Sequence, residues 1–349
     1  MSSIKSSMES DGQFGAKKNI ERDSFIWTIE KSSISRLTGK ETKMSPFFDS
    51  KNNDTVQWNL QIHQNDVSSN NENYISLSLV LIDVNCIEVT ALCSFYVLSV
   101  DGEKKHKKVM SIKKFNDDIR IHTCKQFLKR DILHRNDNKL FPNGNLIVGC
   151  EIFYYYGTIN TVAISTNNNL NGSLNVLLND IADMLGSSEL SDCVIKVGDS
   201  EIKVHKFVLA SRSEVFSLIL TNEDYKSNPN VIKINDFRLE VVKEMITYLY
   251  TGKSPNMDKM ACEMLEIGEE YKLGQLKLMA EESLLHSLSI KNVCYYLVCS
   301  EVYSGGILQE WCLRFIYLHA KEIIDTKGWG KVVNAYPLLA AKLLSIAVN

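Results

Sequence analysis

A chain of 349 residues exceeds what one hydrophobic core supports and predicts roughly two to three domains. Hydrophobic residues make up 44% and charged residues 23%, so each domain can bury a core without disulfides or metal, and wholesale disorder is excluded. Lys and Arg total 39 against 42 Asp and Glu, and the net charge of -3 supplies no general field for holding nucleic acid.

The nine cysteines, at 86, 93, 124, 150, 193, 262, 294, 299 and 312, never form a C-x-x-C pair and sit mostly in apolar segments. That pattern predicts reduced, buried thiols in a cytosolic or nuclear protein. The opening residues contain Ser and Lys but no apolar stretch of a secretory signal, and no later run reaches the ~18 apolar residues of a membrane span. Neither membrane nor secretory routing is expected. The triplets Asn53-Asp54-Thr55 and Asn171-Gly172-Ser173 therefore carry no glycosylation meaning.

In chain order, residues 1–20 lack periodicity and read as a disordered leader. Residues 21–164 then carry short runs rich in β-branched and aromatic residues: Phe25 to Ile29, Val56 to Ile62, Tyr74 to Val84, Val89 to Val100 and Asn145 to Tyr156. These runs alternate or are buried on both faces, and their spacing fits an antiparallel β-sandwich. Asp101-Gly102 predicts a hairpin turn, and Pro142-Asn143-Gly144 a turn before the last strand. Cys124 to Leu133 is the one helical stretch expected in this half. The polar segment 165–173 reads as a linker.

Beyond it the period changes. Leu174, Leu177, Leu178, Ile181, Met184 and Leu185 predict an amphipathic helix. Strands follow at Cys193 to Val197 and Glu201 to Val204 around a Gly198-Asp199 turn, then a helical stretch Phe207 to Leu220 and a strand near Val231 to Ile234. Helices are expected at Leu239 to Thr251, Met257 to Tyr271, Leu273 to Leu288, Val293 to Val302, Ile307 to Ala320 and Pro337 to Ala347.

Sequence offers little for catalysis. Gly305-Gly306 follows one helix and opens another, so it is a turn and not a phosphate loop. The seven histidines form no metal-ligand ladder, and neither metal nor cofactor is expected. The basic run Lys104 to Lys108 reads as a solvated turn. Cys124 near His122 has the residue types of a nucleophile and base but no third orienting group, so an enzyme is not expected.

The informative constellation is Ser191-Asp192-Cys193-Val194-Ile195, then Val204-His205-Lys206-Phe207-Val208-Leu209-Ala210-Ser211-Arg212-Ser213-Glu214-Val215-Phe216. With Ile234-Asn235-Asp236, Met245 to Gly252 and Ala280-Glu281, it resembles the BTB (POZ) signature over residues 174–289, leaving a C-terminal helical extension at 290–349. Asp192 and His205 read as buried polar groups that keep the fold. The first half resembles a MATH (TRAF-like) domain through Phe25 to Ile29, Tyr74 to Leu79 and a short helix at Lys125 to Asp131. The order of the two resembles the speckle-type POZ protein family. The expected fold is thus an antiparallel β-sandwich followed by an α/β BTB domain and C-terminal helices.

The resemblance implies a substrate-recruiting adaptor of a cullin-3-type RING ubiquitin ligase, whose sandwich takes a Ser/Thr-rich peptide of a protein substrate and whose BTB domain dimerises and docks the cullin. It places the peptide groove at Tyr74, Cys93, His122, Thr123 and Cys124, where Cys93 stands for an aromatic and His122-Thr123-Cys124 for Trp-Gly-Phe. Dimerisation would use Leu177, Ile181 and Met184 in a homodimer. Cullin docking would use Phe216, Leu220, Asp224, Tyr225 and Lys226, where the family carries a hydrophobic residue, any residue, then Glu. That departure keeps a second reading open, a non-ligase module or an inhibitor that heterodimerises with true adaptors. The last residues lack the basic tail of nuclear family members, so cytoplasmic residence is expected at least as well as nuclear.

Overall fold

The computed structural model describes residues 20–37, 41–50, 56–64, 73–83, 88–134, 139–156, 168–187, 190–222 and 230–348. The expected leader, except for Ile20, which packs against the apolar cluster of the second half, lies outside them, as do Cys86 and the triplet Asp224-Tyr225-Lys226.

The first half contains strands β1 (Glu21–Glu30), β2 (Thr42–Met44), β3 (Phe48–Asp49), β4 (Gln57–Gln64), β5 (Tyr74–Asp83), β6 (Val89–Leu98), β7 (Lys104–Val109), β8 (Lys113–Phe115), β9 (Ile121–Lys129) and β10 (Asn145–Tyr156). Two short helices, α1 (Lys31–Ser35) and α2 (Arg130–His134), interrupt them. One sheet runs β1-β10-β6-β7, with β8 also on β6, and the other runs β2-β4-β5-β9, with β3 on β4. All pairings in both sheets are antiparallel.

The inner faces follow from strand alternation. Leu60, Ile62, Ile75, Leu77 and Leu79 of the second sheet meet Ala91, Cys93, Phe95, Val148, Cys150 and Ile152 of the first. Trp58 is fully buried between them, edge-on to Phe115 and Tyr154. The buried Tyr154 hydroxyl donates to Asp23 Oδ2 at 2.8 Å, so the aromatic body fills the core while its polar tip stays paired.

Two local expectations change. Cys124 to Lys129 is strand, paired along β5 with a bulge between Ile75 and Leu77, and helix begins only at Arg130. Neighbouring strand β5 overrides helix-compatible residues there. The basic run is no turn either: Gly102, at φ +78°, closes a tight hairpin, and Lys104 and Lys108 return as β7 opposite Leu98 and Phe95. Lysine suits a strand at the end of a sheet.

The second half contains α3 (Asn168–Gly186), β11 (Cys193–Val197), β12 (Ser200–Val204), α4 (Lys206–Arg212), α5 (Glu214–Thr221), β13 (Val231–Lys233), α6 (Leu239–Thr251), α7 (Met257–Glu270), α8 (Gly274–His286), α9 (Val293–Val302), α10 (Gly306–Leu318), α11 (Ala320–Ile323), α12 (Lys327–Ala335) and α13 (Pro337–Val348). Its small sheet, β12-β11-β13, pairs β11 antiparallel with β12 and parallel with β13. Helix α3 starts at Asn168, inside the stretch read as linker. The expected helix Phe207 to Leu220 is two, because Ser213 is extended at φ -143° and its hydroxyl caps α5 by accepting from Phe216 N–H. Helix α12, capped by Thr326, was not foreseen.

The two halves share a seam. Leu92, Phe153 and Tyr155, on the outer face of the first sheet, belong to one apolar cluster with Trp311, Phe315 and Ile316 of α10. Arg22 crosses it: its Nη2 donates to Glu151 Oε1 and to the Tyr317 hydroxyl, each at 2.6 Å, and its Nη1 donates to the Ile346 carbonyl at 3.1 Å. The Arg22 guanidinium also lies 5.0 Å from the Tyr317 ring centroid and 5.5 Å from that of Phe153. Glu151 is 2% exposed. Burial acts to raise its carboxyl, but the hydrogen bonds and charges of Arg22 and Lys104 outweigh burial and hold it below the ordinary range. Lys107 Nζ donates to the Leu318 carbonyl at 2.5 Å and Lys114 pairs with Glu282, adding cationic contacts to α10 and α8.

A buried carboxylate organises the helical half. Glu281 of α8, 3% exposed, accepts from the Leu308 N–H at 2.7 Å at the start of α10. Burial pushes its carboxyl up to about 7, against the N–H groups of Leu308 and Ile307 and the charge of Lys277. A value raised on folding gives stability that is full below about pH 4.5 and is lost as pH rises through about 7. That linkage is on the order of 3 kcal/mol. Glu281→Gln keeps an acceptor but cannot ionise, so its unfolding free energy, from urea melts between pH 5 and pH 8, should fall less steeply with pH than that of the wild type. Equal slopes would contradict this account.

Candidate functional site

The five groove residues do not share a surface. On β5, Ile75, Leu77 and Leu79 point into the sandwich, so Tyr74, Ser76, Ser78 and Val80 point outward. Thr123 of β9 lies opposite Ser78, and their hydroxyls are 2.8 Å apart. Tyr74 and Thr123 thus belong to the outer face of the second sheet, with Gln61 and His63 of β4 beside them opposite Ser78 and Ser76. His122 and Cys124, opposite Leu79 and Leu77, point the other way, between the sheets. Cys93 is on the facing sheet and 1% exposed in the core, so it offers a peptide no wall. Ser76 and Ser78 on that side are buried, with their hydroxyls bonded to the Lys125 carbonyl and to Thr123, so they tie β5 to β9; the alternation of Tyr74-Ile75-Ser76-Leu77-Ser78-Leu79 contained that pattern, although the sequence reading missed it.

His122 Nε2 sits 3.1 Å from the Ser111 carbonyl, and its ring stands edge-on to Phe115. Burial pushes the His122 imidazole down and the Cys124 thiol up. An activated thiolate requires the reverse shift at sulfur, so the pair lacks the electrostatics of a nucleophile and base. Among the described residues no group of three or more His, Cys, Asp or Glu could hold a metal ion.

Strand β9 ends its sheet, with β5 as its one strand partner among the described residues. Such an edge can take an extended peptide as an added strand, with side chains at alternate positions meeting the outer face.

In the second half, His205 and Asp192 separate. His205 is 6% exposed and its backbone N–H donates to the buried Tyr250 hydroxyl at 2.8 Å. Asp192 is exposed, contrary to expectation, because its Oδ1 reaches outward to accept the Lys206 N–H at 2.8 Å in the first turn of α4. Both hold the strand-to-helix corner.

On α3, Ile181 and Met184 are half-buried against the domain's own apolar cluster, and α3 packs on α6. The Leu177 side chain lies outside the described ones. Val176 and Leu178 are the exposed large apolar side chains of α3 among those described, at 60% and 43%.

The docking residues also divide. Phe216 is fully buried and stacks on Tyr271 with centroids 4.6 Å apart, so it cannot touch a partner. Leu220, one turn on, is half-buried against the same cluster. The spacing that drew attention to them is the buried stripe of an amphipathic helix. Exposed instead are Leu218 of α5, at 70%, and Phe207 of α4, at 80%.

Among the described residues, a ten-strand antiparallel sandwich followed by a hairpin, a parallel third strand and stacked helices defines a two-module binding protein. Family comparison agrees: the MATH domain model matches residues 24–152 and the BTB/POZ domain model residues 182–288. The chain carries a MATH domain followed by a BTB/POZ domain. It is similar to TD and POZ domain-containing protein 1 of Mus musculus, 29% identical over 338 residues that cover 96% of this chain and 92% of that protein. The architecture fits a binding or adaptor protein.

Phe216→Ala should destabilise the protein by about 3–5 kcal/mol, the cost of a large aromatic removed from a core. Leu218→Ala should stay within about 0.5 kcal/mol of wild type. Urea unfolding of both variants checks this, and a neutral Phe216→Ala would contradict the burial described.

Proposed function

We propose that the protein recruits a substrate to a cullin-3-type RING ubiquitin ligase. The MATH-then-BTB order in one chain carries this reading, since it couples a peptide-binding sandwich to a docking and dimerisation domain. The sandwich takes a Ser/Thr-rich peptide along β9 by backbone pairing at the strand edge, flanked by the half-buried Tyr74 and Thr123. The BTB domain pairs with a second copy through α3, presenting two sandwiches together and raising the local concentration of captured substrate. Cullin docking draws on the exposed Leu218 and Phe207, together with Asp224, Tyr225 and Lys226, which follow α5 in the sequence.

The triplet Asp224-Tyr225-Lys226 favours a second reading, a MATH-BTB module uncoupled from the ligase that heterodimerises with true adaptors. Lysine where the resembling family carries Glu reverses a charge at the expected contact.

Calorimetric titration with a recombinant cullin-3 N-terminal domain separates the two. Micromolar binding by the wild-type chain supports the ligase reading. Silence at tens of micromolar, with binding gained by the double variant Asp224→Leu, Lys226→Glu, sinks it in favour of the second. Light scattering should report a particle of twice 39.6 kDa. A stable monomer at micromolar concentration would remove the dimer from both readings. Tyr74→Ala should weaken binding of a Ser/Thr-rich peptide roughly tenfold, the loss of about 1.4 kcal/mol at an aromatic contact.

A further inference from the structure

The lysines at the border of the sandwich divide between two directions. Strands β7, β8 and β9 hold four, two and two lysines and no aspartate or glutamate. Lys104, Lys107 and Lys114 reach the seam, at Glu151, the Leu318 carbonyl and Glu282. Lys108 stands opposite Phe95 of β6 and Lys113 opposite Ala91, and both of those partners face the sandwich interior. Opposed residues of an antiparallel pair share a face, so Lys108 and Lys113 project toward the second sheet at its border.

Contacts fix that border as β9. Strand β7 packs on β9, and His122 Nε2 of β9 sits 3.1 Å from the Ser111 carbonyl, between β7 and β8. Burial raises the Cys124 thiol and Lys108 works against it, while burial lowers the His122 imidazole and Lys113 adds to that shift, as cations beside β9 must. Lys125 and Lys129 of β9 itself are exposed. The nearby carboxylates Glu103 and Asp117 are paired with Lys105 and Arg120, whereas Lys108, Lys113 and Lys129 enter no ion pair among the described residues.

We infer that the free edge of β9 selects a phosphorylated Ser/Thr peptide, whose phosphates meet Lys108 and Lys113 of the facing sheet.

This rests on the peptide-capture reading of β9 and names the substrate class. A strand added there lies about 4.8 Å beyond β9, and its alternate side chains point to the side from which Lys108 and Lys113 come. Facing sheets are about 10 Å apart, a gap that the four-carbon stem of lysine and a phosphorylated side chain close between them. A bare hydroxyl gives these ammonium groups an acceptor without charge. A phosphate on the same hydroxyl brings roughly two negative charges and three acceptor oxygens, enough to be shared by two lysines.

The test is fluorescence anisotropy on the full chain with a labelled peptide of alternating serine and threonine, in three forms: unmodified, phosphorylated on its serines, and with glutamate in place of serine. At about 0.05 M salt the phosphorylated form should bind roughly tenfold more tightly than the unmodified one, and more tightly than the glutamate form; at about 0.5 M salt most of that gain should be gone. The double variant Lys108→Gln, Lys113→Gln should lose the gain, whereas Lys114→Gln, whose lysine faces the helices, should keep it. Binding of the unmodified peptide with no gain from phosphate, or a gain kept by the double variant, would overturn the inference and leave peptide capture standing. Failure of all three forms to bind would remove both. Glutamate binding as tightly as phosphate would reassign the edge to acidic peptides, and displacement of the phosphopeptide by an equal concentration of oligouridylate would reassign the lysines to nucleic acid.

Discussion

The central strands β10 and β6 of the sheet β1-β10-β6-β7 are buried on both faces, and the molecule is arranged around that constraint. The sheet's inner face meets the second sheet, and its outer face meets the C-terminal helices. A charge is set in this second interface: Glu151 is enclosed, and Arg22 from the adjacent strand β1 and Lys104 from β7, across β6, neutralise it. Taking one partner from such a buried pair typically costs about 3–5 kcal/mol, because the remaining charge has no solvent to fall back on. Arg22 then continues across the seam to Tyr317 and the Ile346 carbonyl, so the same group that satisfies the sandwich also fastens the helices.

That seam bears on function. A sandwich held by α10 and α13 has its outer first-sheet face occupied, which leaves the second sheet, with β9 at its edge, as the face turned toward other molecules. In a dimer built on the helical half, two such edges would be held at a fixed separation and orientation. A bivalent substrate would then be favoured when the spacing of its motifs matches.

The strands were legible where side chains alternate or where apolar runs are too long for one face. Asn145 to Tyr156 reads as doubly buried because Ile152 and Tyr154 serve one core while Phe153 and Tyr155 serve the other. The helices of the second half were legible from periodicity, several to the residue, as at Leu239 to Thr251 and Val293 to Val302. Cys124 to Lys129 was not, because its strand conformation comes from pairing with β5, a non-local cause. Candidate sites were harder still. An apolar spacing such as Phe216 and Leu220 signals burial equally well whether the surface met belongs to the same chain or another, and here it is the same chain. Direction across a strand decided the groove residues, separating Thr123 from its neighbours His122 and Cys124. The contacts of Arg22 with Tyr317 span 295 positions and have no local signature.

A tyrosine laid across a strand explains one more feature. Gly149 of β10 faces Tyr96 of β6, and a methyl group at 149 would stand 2.1 Å from the ring. With the strand bare at that point, the ring lies flat and lets the Lys104 ammonium settle 4.5 Å above its centroid while also reaching Glu151. Lys104 opens the lysine-rich β7, so this terminal strand is anchored at one end while Lys105 and Lys108, opposite Val97 and Phe95, remain exposed. A second molecule seeking to extend the sheet there would have to bring its backbone against a row of ammonium groups. Growth by strand addition is thus discouraged at β7, with its four exposed lysines, more than at the opposite sheet's border β9, which exposes Lys125 and Lys129.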